Sequence, residues 1–294
     1  MFPDPLVLLT YGLLALAVLS LWLPLPATPA VRGTPAVFVL LACAAGLAAG
    51  VLDWRAPPAI AAYLAVALAA RLGAPGWRRT LLLFATGIGA FLFALHRAPG
   101  FHNPVLAAGV RFSADAPPFA LHANFDTAVA GIVLMAVFCE PVRTSAGWRA
   151  LLGRAWPVLL ATPAAVLALG WALGYVRPDV KWTPYSAWFL ASNLLFTCVT
   201  EEAFFRGFIL ARIARGLEGR PWGGWFAVAV STLLFGLAHA GGGPLLVLLA
   251  TVAGLGYAAA YLRGGRIEGA ILTHFALNAV HFVAFTYPYL AAVR

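Results

Sequence analysis

The chain has 294 residues, of which 63% are hydrophobic and 10% are charged, and its formal net charge is +9. So apolar a chain has little left over for a soluble domain, which argues against a soluble enzyme. The basic residues fall in short turns between apolar runs, where they set the orientation of membrane spans rather than bind an acidic partner. We therefore expect a lipid bilayer as its surroundings and no nucleic acid as its partner.

Apolar runs follow one another along the whole chain, separated by clusters of proline, glycine and charged residues. Most are about as long as a helix needs to be to cross the hydrocarbon core, and none alternates with the two-residue period of a lipid-facing strand. The pattern predicts an all-α protein, a polytopic transmembrane helical bundle with about ten membrane spans. The runs are 6–25, 35–52, 57–73, 80–95, 126–139, 156–175, 185–210, 222–239, 244–262 and 267–287.

The longest connection, near residues 96–125, is neither a span nor a tight turn. Its prolines make it too broken for a span, and its apolar residues make it unlike a free linker, so we expect an interfacial or re-entrant segment. Nearly all the charge at bilayer depth lies after residue 150. We therefore predict an N-terminal membrane region of about five spans, 1–150, and a second region, 151–294, that carries the chemistry.

The most unusual stretch is residues 200–206, Thr-Glu-Glu-Ala-Phe-Phe-Arg, inside the seventh apolar run. A charged side chain at the bilayer centre costs roughly 2.5–3.5 kcal/mol on insertion scales, so Glu201, Glu202 and Arg206 need partners and indicate a function. Glu202 and Arg206 are four residues apart and can pair, which leaves Glu201 facing a different partner.

Two later runs carry further polar residues. His239 follows Phe235 by four residues near the end of the eighth run, and His274 and Asn278 share one face of the tenth run. A lone histidine on an apolar helix is more often a packing residue. Two histidines, an amide, two carboxylates and an arginine in three neighbouring runs instead favour a common site.

These residue types suit amide hydrolysis inside a membrane. Glu201 in an apolar cavity can act as a general base on water, and His239 can share and orient the same water. His274 and Asn278 can donate hydrogen bonds to the oxyanion that develops on an attacked carbonyl. Two neighbours are weaker candidates, because Asn193 lies two turns before Glu201 and His281 lies on the face of Asn278; we expect His281 to have a packing role.

The motifs Glu-Glu-x-x-x-Arg, Phe-x-x-x-His and His-x-x-x-Asn occur in this order along the chain, on the seventh, eighth and tenth apolar runs. In this the chain resembles the CPBP family of intramembrane endopeptidases, also called the Abi or type II CAAX prenyl endopeptidase family. The resemblance covers about residues 150–294. It implies a helical membrane protease with its site in a cavity that opens into the membrane.

The resemblance also implies roles for the polar residues of the motifs. Glu201 with His239 activates water, and Glu202 and Arg206 support Glu201. Two further polar residues form the oxyanion site. Those two are His274 and Asn278.

The catalytic type stays open between a glutamic endopeptidase and a metalloprotease. The chain has no His-Glu-x-x-His sequence that would give a familiar zinc geometry, so we favour the glutamic mechanism with no metal and no other cofactor. In the alternative, Zn²⁺ is held by Glu201, His239 and His274 with one position open.

The expected partner is a membrane-anchored or lipid-modified protein or peptide substrate. The expected location is the bacterial inner (cytoplasmic) membrane, as an integral multi-pass protein. A non-proteolytic binding or immunity member of the family is an alternative, although it would have little reason to keep every motif residue. A transporter would more usually show repeat symmetry in its two halves.

Overall fold

The computed structural model of the protein describes residues 4–23 and 33–293, and it is mostly helical, at 71%. Ten helices, α1 to α10, follow one another in this part of the chain, each at one of the predicted apolar runs. Residues 24 and 25 of the first predicted run lie outside the described residues. The helices are α1 Pro5–Ser20, α2 Thr34–Ala48, α3 Ala56–Leu72, α4 Trp77–Ala94, α5 Phe125–Phe138, α6 Ser145–Ala172, α7 186–216, α8 Gly223–Ala238, α9 Pro244–Gly264 and α10 Ile267–Ala284.

Helix α6, helix α9 and helix α10 are long and apolar enough to cross a membrane. Helices α1, α2, α3, α5 and α8 are also apolar but shorter, at 10–17 residues. A mainly helical membrane protein is therefore confirmed. The count of about ten spans stays a prediction, because within the described residues three helices meet the length and hydropathy of a span on their own.

A small sheet was missed by the sequence analysis. Strands β1, Val105–Val110, and β2, Phe119–His122, pair in the segment for which an interfacial or re-entrant structure was expected. Pro104 directly precedes β1 and Pro118 directly precedes β2. Proline is tolerated at the start of a strand, where its missing N–H removes no ladder hydrogen bond, so the prolines that broke the helical pattern did not exclude strands.

The described residues form two compact units. The first unit consists of the described residues of 1–106, 122–143 and 195–204, and the second consists of 107–121, 144–194 and 205–293. The division between them crosses α7 twice, after Leu194 and after Phe204. The predicted regions 1–150 and 151–294 stay a prediction.

Helix α5 is the centre of the first unit. It packs against α1, α3, α4 and the turn Val199–Glu202 of α7, and most of its residues are buried. Thr200 Oγ1 donates to the Thr127 carbonyl at 3.1 Å. A Cβ at Gly131 would lie 2.1 Å from Thr200 Oγ1. The glycine therefore permits the close approach of α5 to Thr200, the residue before Glu201.

A histidine–aspartate pair joins the end of α4 to the start of α5 within the first unit. His96 has a positive φ of 57° and closes a helix-ending turn in which Arg97 N–H donates to the Leu92 carbonyl at 2.9 Å. Its Nδ1 lies 2.9 Å from Oδ2 of the fully buried Asp126, and Asn103 donates to Oδ1 of the same carboxylate at 2.9 Å. The hydrogen bond with Asp126 raises the pKa of His96 above its usual 6.5.

Replacing His96 with glutamine should therefore destabilise the protein in a pH-dependent way. Because the folded-state pKa is raised, the stabilisation is present below pH 6.5 and is lost as the pH rises through the raised value. The decrease in melting temperature caused by His96→Gln should be larger at about pH 6 than at about pH 9. Differential scanning fluorimetry in detergent measures it, and the exposed His122 supplies the control His122→Gln; equal decreases at both pH values would contradict the assignment.

Candidate functional site

The second unit contains a cavity of about 100 Å³ whose walls come mainly from α6, α8, α9 and α10. The volume is sufficient for a few water molecules. His239, His274 and Asn278 all line it, as does His281. Most of the remaining wall is apolar, so polar groups at the cavity lie next to mainly aliphatic side chains. Its apolar side chains include Leu246, Leu249, Ala250, Ala253 and Leu277.

Helix α9 is central to this cavity because it packs against α6, α8 and α10. The helix begins at Pro244, in the first-turn position that tolerates a missing N–H, and ends before Gly265, whose φ of 70° terminates it. Small residues bring its neighbours close. A Cβ at Gly256 would lie 2.3 Å from Thr162 Oγ1 of α6, and a Cβ at Gly236 of α8 would lie 2.0 Å from Thr251 Oγ1 of α9.

His239 lies at the C-terminal end of α8 and is half-buried. Its Nδ1 is 2.8 Å from the Phe235 carbonyl oxygen. Because a carbonyl oxygen only accepts hydrogen bonds, Nδ1 carries the proton and donates, which in the neutral ring leaves Nε2 as an acceptor. His239 is therefore in the tautomer that can accept a proton from water at Nε2.

His274 is nearly fully buried, at 3% exposure. Its ring stacks on Tyr257, with the centroids 4.5 Å apart and the planes 15° apart, and Phe235 approaches at 86° with a centroid distance of 5.7 Å. The Phe235 ring also lies 4.8 Å from the His239 ring. The phenylalanine of the Phe-x-x-x-His motif thus contacts both histidines of the cavity.

Asn278 lies one turn after His274 on α10. Its Nδ2 donates to Oδ1 of Asn193 at 3.1 Å, which uses one of the two N–H groups of the amide and fixes the direction of the other. This contact supports Asn193 as part of the site. His281, for which a packing role was expected, lines the cavity, and its Nε2 donates to the Thr286 carbonyl at 3.2 Å.

Arg206 is completely buried in the second unit. Its Nη2 donates to the Gly254 carbonyl at 2.8 Å, and its guanidinium carbon lies 4.7 Å from the Phe235 ring centroid and 5.3 Å from that of Tyr257. A Cβ at Gly254 would lie 3.2 Å from Nη2, so the glycine leaves room for the cation. The hydrogen bond to Gly254 and the aromatic faces offset part of the cost of burying the charge.

Glu201 and Glu202 belong to the first unit, in the α-helical turn Val199–Glu202 of α7. This turn lies between two π-helical parts, Asn193–Cys198 and Ala203–Leu210, and such parts are frequent at functional sites. Glu202 is fully buried. Oε2 of Glu201 is also buried and has no hydrogen-bond partner within the described residues. The joint action of Glu201 and His239, and the supporting role of Glu202 and Arg206, stay predictions.

Tyr257 is the site residue that the sequence analysis missed. It lines the cavity, stacks on His274 and lies close to the Arg206 guanidinium. A tyrosine inside an apolar run is typical of packing, and Tyr257 belongs to none of the three motifs. Its contacts depend on α9 lying beside α8 and α10, and the sequence does not show which helices are neighbours.

Within the described residues, no group of three or more His, Cys, Asp or Glu side chains is arranged to hold a metal ion. The zinc alternative, with Glu201, His239 and His274 as ligands, stays a hypothesis.

Comparison with known families supports the motif assignment. Residues 181–280 match a family model described as type II CAAX prenyl endopeptidase Rce1-like. The matched segment, about a third of the chain, contains every predicted site residue, and it confirms the resemblance noted from the motifs and supports a protease in general. No protein of curated function and no solved structure matches the chain.

The close contact at Gly236 predicts a stability effect next to His239. In Gly236→Ala the new Cβ would meet Thr251 Oγ1 at 2.0 Å and the Val247 carbonyl at 3.1 Å, so α8 and α9 must separate. Overpacking of this kind costs about 1–3 kcal/mol, which thermal unfolding in detergent would show as a lower melting temperature.

The matched control is Gly224→Ala in the same helix, since nothing lies within 4 Å of a Cβ there. This variant should keep the wild-type melting temperature. If Gly236→Ala is as stable as Gly224→Ala, the close packing of α8 on α9 is wrong.

Proposed function

We propose that the protein is an intramembrane endopeptidase that hydrolyses a peptide bond of a membrane-anchored or lipid-modified protein. The main observation behind the proposal is that His239, His274 and Asn278 line one largely apolar cavity. The match of residues 181–280 to a CAAX-type endopeptidase family supports the same reaction. The location at membrane depth is supported by the walls of the cavity, which include α6, α9 and α10, the helices long enough to span a bilayer.

The proposed reaction begins with water. Glu201 and His239 take a proton from the water molecule while its oxygen forms a bond to the carbonyl carbon of the scissile peptide. The electron pair of the carbonyl moves to its oxygen, and the resulting oxyanion accepts hydrogen bonds from His274 and Asn278. The C=O bond then re-forms, the C–N bond breaks, and the proton held by the Glu201 and His239 pair passes to the leaving amine.

The contacts of the cavity support this division of roles. A protonated Nδ1 leaves Nε2 of His239 as the acceptor that the first step needs. The bond from Asn278 to Asn193 orients an amide donor before the oxyanion forms, and preorganised donors are what make such stabilisation effective. In the proposal, Glu202 and Arg206 support Glu201 by completing its charged surroundings.

The substrate and the location follow from the same setting. A cavity with mostly aliphatic walls between membrane helices favours a peptide that reaches it from the bilayer, by a transmembrane segment or a lipid anchor. We place the protein in the inner membrane of a bacterium, because arginine supplies nearly all of its 19 basic residues, as is common for GC-rich bacterial genomes.

The proposal can be tested by cleavage of a membrane-anchored reporter library, including prenylated C-terminal peptides. Wild-type protein in liposomes should cut at least one reporter, and Glu201→Gln and His239→Gln should each lower the rate by about 10²–10⁴-fold, because each removes a group that handles the proton of water. Glu218→Gln, which changes an exposed glutamate in the turn after α7, and His122→Gln are matched controls that should keep the wild-type rate.

A strong chelator separates the two catalytic types in the same assay. The glutamic mechanism predicts an unchanged rate, whereas loss of cleavage with recovery on adding Zn²⁺ would replace it by the zinc alternative. If folded wild-type protein cuts no reporter, the endopeptidase proposal is wrong and a binding role is favoured. If both variants cut at the wild-type rate, the assignment of water activation to Glu201 and His239 is wrong.

A further inference from the structure

We propose that Tyr257 is a positioning residue that holds the His274 imidazole in one orientation at the cavity. The inference deepens the proposed function and rests on it for its catalytic consequence. The fixed orientation of His274 is argued from the contacts of Tyr257 alone, and it can be measured without a cleavage assay.

The His274 ring needs a neighbour to fix it. Rotation about the bond between Cβ and the ring has a broad, roughly two-fold energy profile in histidine, so the side chain alone does not select one ring plane. Tyr257 lies parallel to the imidazole at 4.5 Å, and a rotated imidazole would turn its edge into the face of the phenol. Phe235 approaches nearly perpendicular to the imidazole at 5.7 Å and restricts the same rotation from a second direction.

Tyr257 is itself held firmly. Its side chain is 1% exposed, Phe235 approaches its ring at 82° with centroids 5.6 Å apart, and the guanidinium carbon of Arg206 lies 5.3 Å from its centroid. The Arg206 guanidinium is bonded to the carbonyl of Gly254, three residues earlier on α9. The ring that supports His274 therefore cannot move without disturbing a buried cation.

This arrangement has a consequence for the proposed reaction. An oxyanion is stabilised by donors that are already in place, and small misplacements of a reacting group can lower the rate by about a hundredfold. Because the oxyanion exists only after attack, loosening His274 should lower kcat and leave KM nearly unchanged. A loss of substrate binding would raise KM instead. A loss of folded protein would also lower the apparent kcat, so the rates are compared at equal amounts of folded protein.

Three variants in the reporter assay test the effect of Tyr257 on kcat. Tyr257→Leu removes the ring and should lower kcat on the order of tenfold to a hundredfold at constant KM, whereas Tyr257→Phe keeps the stacking face and should recover most of the wild-type kcat. Tyr261→Leu makes the same change one turn later on α9, where the side chain packs on the cluster around Leu210 and Ala258, and should keep kcat. A parallel decrease in Tyr257→Leu and Tyr261→Leu, or a Tyr257→Phe variant as slow as Tyr257→Leu, would overturn the proposal.

The orientation of the His274 ring is measured by NMR of protein with isotope-labelled histidine. The His274 signal is assigned by its loss in the His274→Gln variant. A proton above the face of an aromatic ring is shifted upfield, so the His274 ring protons should be upfield in wild type and Tyr257→Phe and should return toward ordinary values in Tyr257→Leu. Unshifted His274 signals in wild type would overturn the proposal. If wild type cuts no reporter but shows these shifts, the proposed function fails and the positioning of His274 by Tyr257 stands.

Discussion

The second unit depends on the burial of one positive charge. The Arg206 guanidinium is fully buried and is compensated by the Gly254 carbonyl and by the faces of Phe235 and Tyr257. A buried cation is tolerated only with such partners, so α7, α8 and α9 must meet where these groups surround it. The two rings that receive the cation also contact His239 and His274. The constraint that stabilises the charge therefore also arranges the histidines of the cavity.

Helix α7, which is partly π-helical, contributes further side chains to this arrangement. Asn193, which contacts Asn278, begins the first π-helical part, and Phe205 and Arg206, which both contact Phe235, lie in the second. Pairing at four-residue spacing assumes an α-helical repeat, whereas a π-helical part bonds each residue to the fifth along the chain. The pairing of Glu202 with Arg206 stays a prediction.

Much of this architecture could be predicted from the sequence, for physical reasons. Long apolar runs bounded by turn residues must satisfy their backbone internally in a bilayer, and in the part of the chain that the structure describes each predicted run contains a helix. His274 and Asn278 share a face because their spacing equals one helical turn, and both line the cavity. The contact of Asn278 with Asn193 and the stacking of Tyr257 on His274 depend on which helices become neighbours, and residue spacing within one helix carries no such information. The small sheet was missed because proline was taken as a general breaker, whereas it lies just before each strand.

The central claim of the proposed function is that Glu201 and His239 direct a water molecule onto a peptide carbonyl. Single-turnover cleavage of the best reporter in water enriched in oxygen-18, followed by mass spectrometry of both fragments, tests it most directly. The account predicts one heavy oxygen atom in the new carboxylate of the N-terminal fragment, a free amine on the other fragment, and no labelled product with Glu201→Gln or His239→Gln. Cleavage without incorporation of the heavy oxygen, or labelled product at the wild-type rate from both variants, would contradict it.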